Sequence, residues 1–165
     1  MPIELTVDQR AVQVVAKALR EQEDGKALRK DLIAELKTAV APGVASIQSK
    51  LTAIPHTTAA VTTPTLSSYL SARVKPVVRL SGQRTGIQVK IRKTPQLRGF
   101  TNAARMLNLG TWRHKVFGRE VWVQQVMPTM KGFFDDTLAK DKPLYRAAVI
   151  GAVEKMAKRV ADRAK

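Results

Sequence analysis

The chain of 165 residues has no cysteine, which excludes a disulfide scaffold, a thiolate metal site and a thiol nucleophile. Its two histidines, His56 and His114, lie far apart with no paired acids near either. A zinc site needs three or four ligands, so no metal is expected. The phosphate loop, the dinucleotide glycine fingerprint, the nucleophile elbow and the zincin helix are all missing. Asp135-Asp136 reads as a helix start, where acids complement the helix dipole, rather than as a catalytic dyad. No enzyme and no cofactor are expected. No run of eighteen apolar residues exists, which argues against a membrane helix. The first residues, MPIELTVDQR, carry acids where an export signal would be basic, so none is expected. Aromatics are 5% of the chain, and no zinc finger, ribonucleoprotein-type aromatic motif or helix-turn-helix is visible.

Carboxylates are the other scarce group. The 29 Lys and Arg outnumber 13 Asp and Glu, for a net charge of +16. The imbalance has a location. Residues 1–35 hold six basic and seven acidic residues, 36–119 hold 14 basic and no acidic ones, and 120–165 hold nine and six. The 84 residues between Glu35 and Glu120 therefore contain no carboxylate side chain. Their cations must face water, acids from the chain ends, nucleic acid or an acidic neighbour. A solvated surface tuned for solubility is one reading, and a polyanionic or acidic partner is the other. Apolar residues are 44%, enough for a packed core in a single domain over 1–165.

The pattern predicts an α+β fold. A first helix spans about Val7–Glu23, with a capping box at Thr6 and Gln9 and a stripe of Val7, Ala11, Val14, Val15, Ala18 and Leu19. A second runs from about Lys26 with Leu28, Leu32, Leu36 and Val40 in four-residue steps. It bends at Pro42-Gly43 and continues to about Ala53. Residues 54–64 read as an uncharged Thr-rich loop, either a functional arm or a plain flexible connection, and 65–72 as a short helical turn. Val74–Ser81 and Ile87–Arg92 alternate as a hairpin, with Pro76 marking an edge strand or a strand start. Its aliphatic face should sit on helices, while Lys75, Arg79, Lys90 and Arg92 form a candidate contact face for a partner or DNA. Phe100–Leu109 reads as a helix ended by Gly110. Two further strands around Gly118 are expected to join the first hairpin in one antiparallel sheet of about four strands. Trp112 and Trp122 read as core anchors rather than base stackers. A long helix from about Lys142 to Arg163 closes the chain, with Asp141 as cap and Pro143 in its first turn.

The run GTWRHKVFGREVWVQQVMPTMKGFF, residues 110–134, is the most specific text in the chain. Trp112, His114, Val116, Phe117 and Gly118 form a W-x-H-x-V-F-G element. Trp122, Val123 and Gln125 follow as W-V-x-Q, then Pro128, Gly132, Phe133 and Phe134 as P-x-x-x-G-F-F. This text resembles the tail-completion family of long-tailed bacteriophages, also described as minor tail or head–tail connector proteins. The order of elements resembles the family as well. Lys115 stands where members often have proline. The resemblance implies a structural protein of the virion neck: a homo-oligomeric ring of six between the capsid portal and the tail tube, assembled in the host cytoplasm. Such a ring would touch neighbouring neck, tail-terminator or tail-tube proteins and let DNA pass. It implies no cofactor, catalytic residue or membrane. Phe133 and Phe134 would be available as partner anchors, and a non-specific nucleic-acid-binding basic module stays open as the alternative.

Overall fold

The computed structural model describes residues 3–5, 9–21, 24–54, 65–81, 85–92, 102–115 and 119–163. Helices and antiparallel strands are mixed, as the pattern predicts: β1 (Ile3–Leu5), α1 (Gln9–Glu21), α2 (Gly25–Thr52), α3 (Leu66–Ser71), β2 (Val74–Arg79), β3 (Gly86–Ile91), α4 (Ala103–Leu109), β4 (Thr111–Lys115), β5 (Trp122–Val126), α5 (Asp135–Lys140) and α6 (Lys142–Arg163). The chain divides into two compact units. One holds Ala45–Lys75 and Ile91–Lys140, the other Pro2–Val44, Pro76–Lys90 and Asp141–Lys165. The capping box at Thr6 and residues 55–64 of the Thr-rich loop expected at 54–64 lie outside the described residues.

In the unit that contains α1 and α6, α1 buries Val12, Val15, Ala16 and Leu19 and leaves Val14 67% exposed. The expected stripe is therefore turned by one position. Residues 11, 14, 15 and 18 and residues 12, 15, 16 and 19 both satisfy the i, i+3, i+4, i+7 spacing, and packing selects the second set. Leu28, Leu32, Leu36 and Val40 of α2 are all buried, in the four-residue steps expected. The helix runs through Pro42. A proline there removes the hydrogen bond to the Thr38 carbonyl and favours a bend, and the division between the two units falls two residues later, after Val44. Gly25 opens α2 because nothing larger fits: a Cβ there would lie 2.0 Å from the Leu19 carbonyl oxygen. On α6, Tyr145, Val149, Val153 and Met156 are buried. Glu35 of α2 accepts ion pairs from Lys155 at 3.1 Å and Arg159 at 3.5 Å.

The first sheet has the strand order β1-β3-β2. The N-terminal strand pairs antiparallel with β3 in the register Ile3↔Val89, Glu4↔Gln88 and Leu5↔Ile87. Three residues without clear alternation gave no strand signal there. The added strand makes β3 central, so Gln88, expected on the open face, is buried together with Ile87 and Val89. β2 is an edge, as Pro76 requires.

The second hairpin corrects the expectation of one four-stranded sheet. β4 and β5 form a separate two-stranded sheet. The physical reason lies in the first sheet: β1 occupies the free side of β3, and Pro76 on the outer strand cannot donate to a further ladder. This hairpin belongs to the other unit, whose core includes Ile47, Leu51, Leu70, Leu107, Phe133, Phe134 and Leu138. In that unit α3 is capped by Thr65, whose hydroxyl accepts from the Ser68 amide at 3.3 Å.

Candidate functional site

The stretch around the second hairpin is organised by one residue that motif reading passed over. Asn108, on the last turn of α4, accepts from the amides of Phe134 at 3.0 Å and Asp135 at 3.3 Å through Oδ1. Its Nδ2 donates to Asp135 Oδ2 at 2.7 Å. Its carbonyl accepts from the Gly132 amide at 2.8 Å. The amide orientation follows from the partners: two N–H groups on one side and a carboxylate on the other. Asn108 thus ties the end of α4 to the start of α5 and satisfies N–H groups that a helix N-terminus leaves open.

Between those two anchor points the chain makes the hairpin. Gly110 ends α4 at φ 73°, a left-handed cap that only glycine adopts without strain. The Met127 amide donates back to the Gly110 carbonyl at 2.7 Å, closing the base of the hairpin. The register is Thr111↔Val126, Trp112↔Gln125, Arg113↔Gln124, His114↔Val123 and Lys115↔Trp122. Residues directly opposite share a face and alternate along each strand. One face therefore carries Trp112, Val123 and Gln125. The other carries Thr111, Arg113, Lys115, Trp122, Gln124 and Val126.

The two faces differ sharply in exposure. Trp112 is 9% exposed, in the core as expected, whereas Trp122 is 52% exposed. Trp122 is thus no core anchor. A two-stranded sheet has only one face against its unit, and the register puts Trp122 on the other. All six residues of that outer face are exposed. Lys115 Nζ lies 5.9 Å from the centre of the Trp122 ring and forms an ion pair with Glu120 at 2.7 Å. Gln125 is exposed. Phe117, Gly118 and the side chain of His114 lie outside the described residues.

Phe133 and Phe134 are 2% and 5% exposed and meet edge to face, with centroids 6.4 Å apart. They are core residues, which corrects their expected availability as partner anchors. Gly132, at φ 69°, turns the chain so that both rings can face inward.

The expected basic face is divided. Lys75 and Arg92 belong to the unit with the second hairpin, Arg79 and Lys90 to the other. Lys75, Arg79 and Arg92 are exposed and Lys90 is half-buried. The Arg92 amide donates to the Arg73 carbonyl at 3.3 Å, which brings a fifth cation beside this set. The Arg73 guanidinium stacks 4.0 Å from the Tyr69 ring centre and donates to the Tyr69 hydroxyl. Among the described residues of 36–119, Lys115 alone forms an ion pair with a carboxylate.

No group of three or more metal-ligating side chains occurs among the described residues, and none of their helices is long and apolar enough to cross a membrane. No protein-family model, curated protein or solved structure matches the chain.

Proposed function

We propose that the chain is a structural subunit of a tailed-phage neck, assembled as a ring between the capsid portal and the tail tube. The observation that carries this reading is the outward placement of Trp122. In the most specific text of the sequence, the W-V-x-Q strand presents its tryptophan and Val126 to the surface while Trp112, Phe133 and Phe134 hold the unit together. A conformationally anchored, solvent-facing aromatic strand serves contact between proteins. The motif text and the order of elements supply the phage context. The absence of any catalytic constellation in the sequence favours a structural role over chemistry.

Mass spectrometry and antibody-labelled electron micrographs of particles of the encoding phage test this reading. The chain is expected in purified particles, at the neck or upper tail. Detection in infected-cell extract but never in particles would overturn it.

A second reading, a basic module that binds nucleic acid without sequence preference, is favoured by the cations among the described residues of 36–119 that form no ion pair with a carboxylate. Filter binding to random DNA across a salt series separates the two, because phosphate neutralisation makes affinity fall steeply with salt. No retention at low salt, or a flat salt dependence, removes it.

A further inference from the structure

On the reading that the chain is an assembly subunit, we infer that the outer face of the β4–β5 hairpin docks an acidic, partly apolar surface of a different protein. Two independent properties of the face select this partner. The first is apolar exposure. Of the seven large hydrophobic residues exposed among those described, Trp122 and Val126 lie on this face, at 52% and 56% exposure. The second is charge. Arg113 stands opposite Gln124, which places it diagonally from Trp122 at roughly 7–8 Å between backbones. Arg113 is exposed and takes part in no ion pair among the described residues. The one nearby acid, Glu120, is held by Lys115. A partner that covers this face gains by burying apolar area and by supplying a carboxylate to the Arg113 guanidinium, whose planar fork suits bidentate pairing.

Other occupants fit less well. Single-stranded nucleic acid binds through successive aromatic platforms, and this face offers one aromatic ring, Trp122, beside the aliphatic Val126. A second copy of the chain is a weaker fit than a separate acidic protein. Among the described residues, the exposed acids Glu21, Asp31 and Glu154 each stand next to a cation in the sequence, Arg20, Lys30 and Lys155.

The test is calorimetric titration of the full chain with three probes: a peptide alternating Glu with Val and Leu, a polyglutamate of equal charge, and single-stranded oligodeoxythymidine. The alternating peptide is expected to bind at least about tenfold more tightly than polyglutamate and to shift tryptophan emission to shorter wavelength. Its affinity should weaken severalfold, without vanishing, between about 50 and 300 mM salt. Trp122→Ala and Arg113→Glu, both at exposed positions, should each reduce it about tenfold or more with an unchanged circular dichroism spectrum. Equal binding of polyglutamate, tighter binding of the oligonucleotide, no binding, or indifference to Trp122→Ala would each overturn the proposal. The two levels fail separately. A chain found in the neck that ignores the peptide refutes this docking face alone, and a chain that binds the peptide but is absent from particles refutes the neck reading alone.

Discussion

Replacing Asn108 with alanine should destabilise the unit that carries the second hairpin by about 2–4 kcal/mol. The magnitude follows from its three side-chain hydrogen bonds. The 2.7 Å bond from Nδ2 to the Asp135 carboxylate is charge-assisted and contributes about 1.5–3 kcal/mol. The bonds from the Phe134 and Asp135 amides at 3.0 and 3.3 Å contribute about 1 kcal/mol each. Asn108 is half-buried, so water recovers part of the loss, which brings the expected value below the simple total. The assay is urea unfolding followed by circular dichroism and by the emission of the buried Trp112, with the slope of each transition checked against wild type. Asn108→Asp provides the mechanistic control. It keeps the acceptor for both amides but sets a second carboxylate against Asp135. Like charges this close raise one carboxyl pKa in the folded state. Stability of this variant is then present at low pH and lost as pH rises through that raised value. The variant should resemble Asn108→Ala at pH 7 and recover as the pH is lowered. A loss below about 0.5 kcal/mol for Asn108→Ala, or an Asn108→Asp variant as stable as wild type at pH 7, would refute the role assigned to this side chain.

Gly25→Ala should cost about 2 kcal/mol or more in thermal or urea unfolding, because its Cβ would meet the Leu19 carbonyl. Gly151→Ala, with nothing within 4 Å of the added carbon on α6, should stabilise by about 0.5–1 kcal/mol. Glu35→Gln removes the carboxylate shared by Lys155 and Arg159, two cations that are 60% and 43% exposed. It should cost no more than about 1 kcal/mol at low salt and close to nothing at high salt. The Tyr145 phenol is held above its ordinary value by burial and then by the neighbouring Asp141 carboxylate. Because the raised pKa belongs to the folded state, stability is full below the unfolded value and falls as pH climbs through the folded one. Absorbance at 295 nm should show a late phenolate step that Tyr145→Phe abolishes.

How much of this was legible in the sequence depended on the length over which each signal repeats. The four-residue steps of α2 and α6 extend over several turns, so both helices and their buried residues follow from periodicity. Gly110 announced the end of α4 through chemistry that belongs to one position. The three residues of β1 carry no such repetition, and their partner is more than eighty positions away, so neither the strand nor the burial of Gln88 could be read locally. α1 offered two overlapping apolar stripes, and only packing decided between Val12 and Val14. Asn108 is the clearest omission. A lone asparagine near a helix end is ordinary, and its importance comes from Gly132, Phe134 and Asp135, which the hairpin returns to it.

The charge distribution and the hairpin register carry different kinds of information about the candidate site. The acid-free stretch between Glu35 and Glu120 is a property of chain order, and the fold distributes it: Lys75 and Arg92 fall in one unit, Arg79 and Lys90 in the other. Charge counting therefore gives a strong field without defining a face. Register does the reverse. Once Trp112 is fixed inward opposite Gln125, strand alternation leaves Trp122, Val126, Arg113 and Lys115 no choice but the outer side. A one-residue slip of β4 would expose Trp112, and one of β5 would turn Trp122 inward. The anchors at Gly110 and Asn108, which set where the hairpin begins and returns, thus determine which tryptophan a partner meets. Substitution at Asn108 should then weaken binding of the acidic probe through loss of register as well as through loss of stability, whereas Trp122→Ala should weaken it with stability intact.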